Sequence, residues 1–554
     1  MSGYLKSTAP PEFVQRLDEL ETQSGRGYEN LKLLSYERGL ASWAVATKCV
    51  EVAEQQMAQY GQWSPEVDGA MIHLGINASL LIDWIRKHGR AGTAGRNNFR
   101  WERRLSNAAA DGLAIASQYQ VFLGCFPDWH RDRAVAEVIG QCRTRFTRVG
   151  GAERRRVRAF LQGRRSERTA IKPGLPDTPE LRAGLEKAVR SCKVTSPGRF
   201  TYPLPFDLLE YQTSTYLANF DSIFRRDEAA DLGGYTLRQF KRFYAALLAV
   251  CATHEILCFE WAQRHRRYPL ACAVLVKQRR TWIDVVQRLS SLTADIIERV
   301  LADLAFPDKP RDMFVHPFLP LDSASKLLAV APHFPLKSRP EDNILRVCSY
   351  RRPQVYDLIS RTKEEEMLAD LLGTMPRRFR ATGLVKLPEP LPDLDCIVED
   401  LASSTLVLAE LKWVRKPIGL ERFQRDEEVL KGVRQLAQVQ QFFQGDPDYL
   451  FRHGKISVPL LRFEKVQYLL VARDHLVWVD PAAGYPLVEY ETFKKMLQNC
   501  SDLRAGVEHV LTYDWLPVEG RDFEVRYDEA RANGVVIESE VFYPLTGAQT
   551  AGVD

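Results

Sequence analysis

Asp393, Asp395, Glu410 and Lys412 stand among apolar residues in the stretch LPDLDCIVEDLASSTLVLAELKW, which begins at Leu391. Charges among so many apolar residues are costly unless they are paired or hold a metal. Leu394–Glu399 and Thr405–Lys412 read as antiparallel strands around a turn-like Asp400–Ser404. With the turn centred between Ala402 and Ser403, Asp395 faces Glu410 and Asp393 faces Lys412. Directly opposed residues share a face, so all four side chains would project together. A slip of one residue would scatter them. Two carboxylates at one spot repel and will not both ionise cheaply. A divalent cation resolves the conflict, and hard oxygen ligands favour Mg²⁺ or Mn²⁺ over zinc. Such an ion would polarise a phosphoryl oxygen and acidify a bound water. Lys412 would orient that water or stabilise developing charge. The chemistry expected is phosphodiester hydrolysis.

Asp395, an apolar strand, and then Glu410-Leu411-Lys412 resemble the PD-(D/E)XK nuclease superfamily, with its restriction-endonuclease-like fold. Pro392-Asp393 supplies the literal dipeptide, but the apolar strand follows Asp395, which is therefore preferred as the ligand with Asp393 second. The resemblance implies Asp395, Glu410 and the Leu411 carbonyl as metal ligands and Lys412 as the catalytic lysine. Members often carry a glutamate on the helix before the sheet. Here KEEEMLADLLGTM offers Glu364, Glu365 and Glu366, with Glu365 preferred. Many also carry a glutamine on the helix after the lysine, and KGVRQLAQV supplies Gln435. The resemblance spans roughly residues 350–480 and implies a Mg²⁺-dependent endonuclease, with Mn²⁺ as substitute and DNA as substrate. A helical region fused to such a domain resembles bacterial or phage-related defence effectors. The alternative is an inactive nucleic-acid-binding or protein-interaction scaffold that retains the fold.

The surrounding elements must position this hairpin. Apolar residues recur at three- and four-residue spacing in Tyr28–Tyr60, Pro65–His88, Trp101–Phe122, Ala134–Val149, Thr178–Cys192, Leu237–Trp261 and Trp282–Leu304. Helices are predicted there. From about Phe314 a Pro-rich stretch with short apolar runs suggests strands or an irregular connector, followed by a helix over Tyr356–Met375. Strands are then expected at Ala381–Lys386, Leu394–Glu399, Thr405–Trp413, Val466–Val471 and His475–Val479, with a long helix at Leu420–Phe443. Asn533-Gly534 between two strand-like runs predicts a hairpin turn. The fold class expected is multidomain: a mostly α-helical N-terminal region plus an α/β C-terminal domain. The boundaries are a basic helical region 1–175, a helical region 176–310, a connector 311–349, the nuclease-like domain 350–500 and a C-terminal extension 501–554.

The formal net charge is only +5 over 554 residues, but arginines concentrate between Arg86 and Arg168. Interleaved Phe99, Trp101, Phe146 and Phe160 would suit phosphate contact and base stacking, and an acidic partner protein would fit equally. The helical half would serve a partner or a second copy of the chain. The ten cysteines form no Cys-x-x-Cys pair and read as free thiols in a reducing cytoplasm. The most apolar helix, Phe243–Trp261, is interrupted by His254 and Glu255 and reads as a core helix, with no membrane partner. GRAGTAGRNN lacks the Lys-Ser/Thr of a nucleotide loop. The isolated His73, His254 and His316 read as core or turn residues.

Overall fold

The computed structural model describes residues 3–60, 65–92, 99–163, 178–195, 199–220, 228–266, 268–307, 312–322, 324, 326–415, 417, 421–477 and 484–545. The chain begins with α1 (Pro11–Gly25), α2 (Arg38–Tyr60), α3 (Pro65–His88) and α4 (Arg103–His130). Strands β1 (Ala134–Gly140) and β2 (Arg143–Arg148) follow, then α5 (Gly151–Gly163) and α6 (Pro179–Ser191). A small ribbon, β3 (Lys193–Thr195) and β4 (Arg199–Thr201), leads to α7 (Phe206–Asn219) and α8 (Leu237–His265). Next come β5 (Leu275–Gln278), α9 (Arg279–Ser290), α10 (Ala294–Leu304), β6 (Leu319–Pro320), β7 (Leu327–Val330), α11 (His333–Leu336) and α12 (Pro340–Arg351).

The C-terminal half runs α13 (Pro353–Gly373), β8 (Arg380–Thr382), β9 (Cys396–Asp400), β10 (Thr405–Trp413), α14 (Glu421–Gly445), α15 (Tyr449–Arg452) and β11 (Lys465–Arg473). It ends with β12 (Leu487–Glu489), α16 (Tyr490–Asn499), α17 (Leu503–Leu511), β13 (Phe523–Ala532) and β14 (Val535–Pro544). An α-rich N-terminal part is thus joined to a mixed α/β part.

The central sheet has the order β12-β11-β10-β9-β8. Strands β9 and β10 form an antiparallel hairpin, whereas β10 and β11 run parallel through the α14 crossover. The sheet is covered on both sides, so its inner strands are apolar on both faces. Val398, Val407, Ala409, Leu411, Leu469 and Val471 face one core with α13, α16 and α17; Ile397, Leu406, Leu408 and Leu470 face another with α14.

Helix α8 is long because its start is fixed and its body is buried. Thr236 and Gln239 form a reciprocal capping box. The helix is apolar and long enough to cross a membrane, but 78% of its most apolar window is buried in the protein. It lies in the same apolar cluster as α13 and the sheet, so helical half and sheet share one core.

Several expectations are refined. Ala134–Val149 is not a helix but the hairpin β1–β2, in which alternate residues Ala134, Ala136, Thr144 and Phe146 are buried. Trp282–Leu304 is two helices, because Ser291 turns left-handed (φ 56°) and Thr293 caps a new start. Residues 311–349 are not a mere connector: β6, β7, α11 and α12 lie there, and Phe318, Leu328, Val330 and Ile344 enter the shared core. The terminal hairpin forms as expected and joins a larger sheet. It turns at Asn533-Gly534, both at positive φ, and β14 pairs in parallel with β2 to give a sheet β1-β2-β14-β13. His475–Val477 is irregular, and the edge strand at that end is β12 instead. The predicted linker at 172–177, residues 93–98 of the glycine-rich stretch, and 478–479 lie outside the described residues.

Candidate active site

The hairpin register is the one that the turn position implies. Thr405 opposes Asp400, and the ladder continues to Ala409 opposite Cys396. One further step opposes Glu410 to Asp395, just before β9 begins. The turn is held by Asp400, whose carboxylate accepts from Ala402 N (3.0 Å), Ser403 Oγ (2.7 Å) and Leu503 N (3.0 Å). Ser404 completes it at φ 50°. With the turn fixed, the side-chain parity of both strands is fixed.

Asp395 is held by the strand that carries Glu410: the Leu411 amide donates to Asp395 Oδ2 at 2.8 Å. N–H and C=O of one strand residue leave on the same edge, so the Leu411 carbonyl also emerges beside Asp395. Lys412 Nζ donates to Glu410 Oε1 at 2.6 Å. The residue is only 2% exposed; Glu410 Oε2 meets no amide, hydroxyl or cationic donor, and the carboxyl lies within hydrogen-bonding reach of Asp395. Asp393 is exposed at the rim.

Helix α14 closes the face. At Gly432 a side chain would meet Leu470 Cδ1 at 2.5 Å and the Lys412 stem at 3.3–3.4 Å, so only a glycine lets the helix approach this closely. Gln435 follows three residues on, half-buried, its Oε1 without a hydrogen-bond partner. From α13 it is Glu364, not the preferred Glu365, that reaches the cluster. Its Oε1 accepts from Trp413 N at 3.4 Å, whereas Glu365 is exposed and Glu366 pairs with Lys363. The helical phase carries this signal: Ile359, Lys363, Met367 and Leu371 are buried, and Glu364 flanks that stripe while Glu365 lies beyond it.

The electrostatics follow from enclosure. Burial, then the neighbouring Asp395, pushes the Glu410 carboxyl up to about 8 from the ordinary 4.5. Burial likewise raises Asp395 and Glu364. Burial opposes the Lys412 ammonium, but Glu410, Glu364 and Asp395 outweigh it and raise its pKa. Three carboxyls and one lysine leave the cluster short of positive charge. The donor set fits a hard divalent cation: carboxylate oxygens of Asp395 and Glu410 and the Leu411 carbonyl, with Glu410 Oε2 meeting no cationic donor.

Another group brings three ligand atoms within 4.8 Å of one another: Asp18, Glu21 and His130. There both imidazole nitrogens are engaged, Nε2 with Glu21 at 2.7 Å and Nδ1 with Lys6 Nζ at 2.8 Å, so no lone pair is left for an ion.

Most of the described arginines of the basic stretch have partners within the protein. Arg143 and Arg145 grip Glu538 (2.8 and 2.7 Å), and Arg155 pairs with Glu540 (2.7 Å). Arg156 donates to the carbonyls of Tyr513, Leu516 and Pro517. The acids that pair with them, Glu538 and Glu540, come from β14, nearly 400 residues away. The aromatics are packing groups: Phe146 is buried, Phe99 and Trp101 pack on Trp43, and Phe160 on Trp515. His254 is a core residue held by Tyr202 Oη and the Cys272 carbonyl, each at 2.9 Å. His316 is likewise buried, beside Tyr350.

Comparison with protein-family models, curated proteins and solved structures finds no match.

Proposed function

We propose that this chain is a metal-dependent nuclease of the PD-(D/E)XK type that hydrolyses phosphodiester bonds, with DNA as substrate and Mg²⁺ as the ion. The observation that carries this reading is the shared face of Asp395, Glu410 and Lys412, with two carboxyls side by side in a buried site beside a single lysine. The order helix, three strands, helix, strand around a mixed sheet supports it further.

Asp395, Glu410 and the Leu411 carbonyl would hold the ion, which when bound supplies Lewis-acid activation of the phosphoryl group and an acidified water. The chain's own groups do the rest. Lys412 is kept protonated by its carboxylate neighbours and donates a hydrogen bond where the attacking water or the developing anion sits. Glu364 fixes the end of β10 through the Trp413 amide. Gln435 presents an amide from α14 to the same face. A role as a defence effector, with the helical half contacting a partner, extends the same reading.

The test is cleavage of supercoiled plasmid, linear duplex, single-stranded DNA and RNA with Mg²⁺, Mn²⁺ or EDTA. Wild type should cut in a metal-dependent way, and Glu410→Ala and Lys412→Ala should each lose at least about a hundredfold in rate, the loss typical for removing one preorganised stabilising group. A folded wild type that cuts none of these and binds no Mg²⁺ by calorimetry would sink the reading in favour of a scaffold that only binds.

A further inference from the structure

One group of arginines is left over after the internal pairing. Asp128, at the end of α4 and 3% exposed at its side chain, is shared by Arg422 (2.9 Å) and Arg148 (3.4 Å). Glu540 is taken by Arg155 at 2.7 Å and by the Arg148 amide at 3.3 Å. Arg155 has a second partner in Glu519 at 3.4 Å. Arg158, on α5, feels the charges of Arg148, Asp128, Arg422 and Glu540, but makes no hydrogen bond or ion pair among the described residues. Burial and then the like charge of Arg148 disfavour its protonated form. An arginine still keeps its proton in neutral water, so this spot holds unneutralised positive charge. It is also reachable: the side chains of Arg148 and Arg422 are 23% and 28% exposed, and Arg158 is half-buried.

We propose that Arg148, Arg158 and Arg422 form a binding site for a phosphate group. The guanidiniums of Arg148 and Arg422 meet at Asp128 from β2 and α14, and Arg158 on α5 lies near enough to feel both charges, at a place that holds fewer carboxylates than cations. A phosphate offers three or four acceptor oxygens and the missing negative charge, which is the geometry that arginine clusters favour. The site is distinct from the carboxylate cluster but is tied to it through α14. Arg422 lies in the first turn, and Gly432, which packs on Lys412, is ten residues further on, about 15 Å at 1.5 Å per residue. The same chemistry serves a backbone phosphate of a polynucleotide lying along α14 or a small phosphorylated molecule docked at its start. The assignment does not rest on the nuclease reading, because it concerns binding without metal.

The test uses the full chain in EDTA. Thermal unfolding is followed with pyrophosphate and with sodium chloride at matched ionic strength, and a labelled single-stranded oligonucleotide is titrated by anisotropy. Pyrophosphate should raise the wild-type Tm by several degrees beyond the chloride control. Arg158→Gln should leave the ligand-free Tm unchanged or higher, because it relieves repulsion and breaks no contact, yet it should abolish the pyrophosphate shift. If oligonucleotide affinity also falls several-fold, with the salt slope reduced by about 0.7, the phosphate is that of a polynucleotide backbone. If oligonucleotide binding is unaffected, the ligand is a small phosphorylated molecule. An equal pyrophosphate shift in Arg158→Gln, or none in wild type, overturns the proposal. So does a ligand-free Tm that drops in the variant, which would mark Arg158 as a structural group.

Discussion

The Leu411 amide donates to Asp395 Oδ2 at 2.8 Å, so the strand that carries Glu410 also positions the Asp395 carboxylate. This contact crosses the hairpin beyond the last ladder pair, Ala409 with Cys396. It holds Asp395 against the strand at the cost of keeping it near the like-charged Glu410.

That cost has a measurable sign. The folded Glu410 carboxyl lies at about 8, above its ordinary 4.5, so the folded state binds one more proton than the unfolded state between these values. Its contribution is fully present below about pH 4.5 and is lost as pH rises through about 8. Without metal, Glu410→Gln should therefore be more stable than wild type at pH 8.5, by about 1–3 kcal/mol, the scale of a buried unsatisfied polar group. Urea unfolding in EDTA at pH 5 and pH 8.5 checks this; an advantage that does not grow with pH would refute it.

The two adjacent glutamates of α13 should behave differently. Glu364→Gln should lower metal-dependent cleavage at least about tenfold, as loss of a supporting group near metal ligands does. Glu365→Gln, on the solvent side, should match wild type. Parallel rate measurements decide between them.

Gly432 sets the distance between α14 and Lys412. Gly432→Val should destabilise by about 1–3 kcal/mol through overpacking against Leu470 and the lysine stem. Gly432→Ala should cost less, because alanine's helix propensity returns about 1 kcal/mol. Both should slow cleavage more than they affect substrate affinity, since it is Lys412 that is pushed aside. Unfolding and single-turnover rates measure the two effects.

His254 predicts an acid limit. Burial lowers its imidazole to about 4 from 6.5, so the unfolded chain binds the extra proton between those values. The stabilisation is present above about pH 6.5 and is lost as pH falls through about 4. Wild-type Tm should drop over this window, and His254→Gln should show a shallower drop from a lower starting point. Calorimetry from pH 7 to pH 4 would test it; parallel curves would count against it.

Much of the hairpin was legible because its cues are local. A short turn, an apolar run and strand parity place Asp395, Glu410 and Lys412 on one face without tertiary information. Helix α14 was equally visible from its length. Glu365 was preferred over Glu364 because two neighbouring glutamates differ by only 100° of helical phase, and the buried stripe of α13 was not used to choose. β1–β2 was misread because the Ala- and Val-rich run also suits a helix, although the alternation in RTRFTR was there to see. Its pairing with β14 could not be read at all, because the partner lies nearly 400 residues downstream. The same separation hid the acids that neutralise the basic stretch.

The joining of β2 to β14 also bears on how the protein is made. Residues 143–146 find their partners only at 536–539, close to the last described residue. A ribosome releases β1 and β2 long before those partners exist, and domains complete early usually fold early. Here the nascent hairpin must wait with one edge bare and its arginines uncompensated until nearly 400 further residues have emerged. The sheet therefore acts as a late-closing clasp, and a chain terminated before β14 would be left with it open.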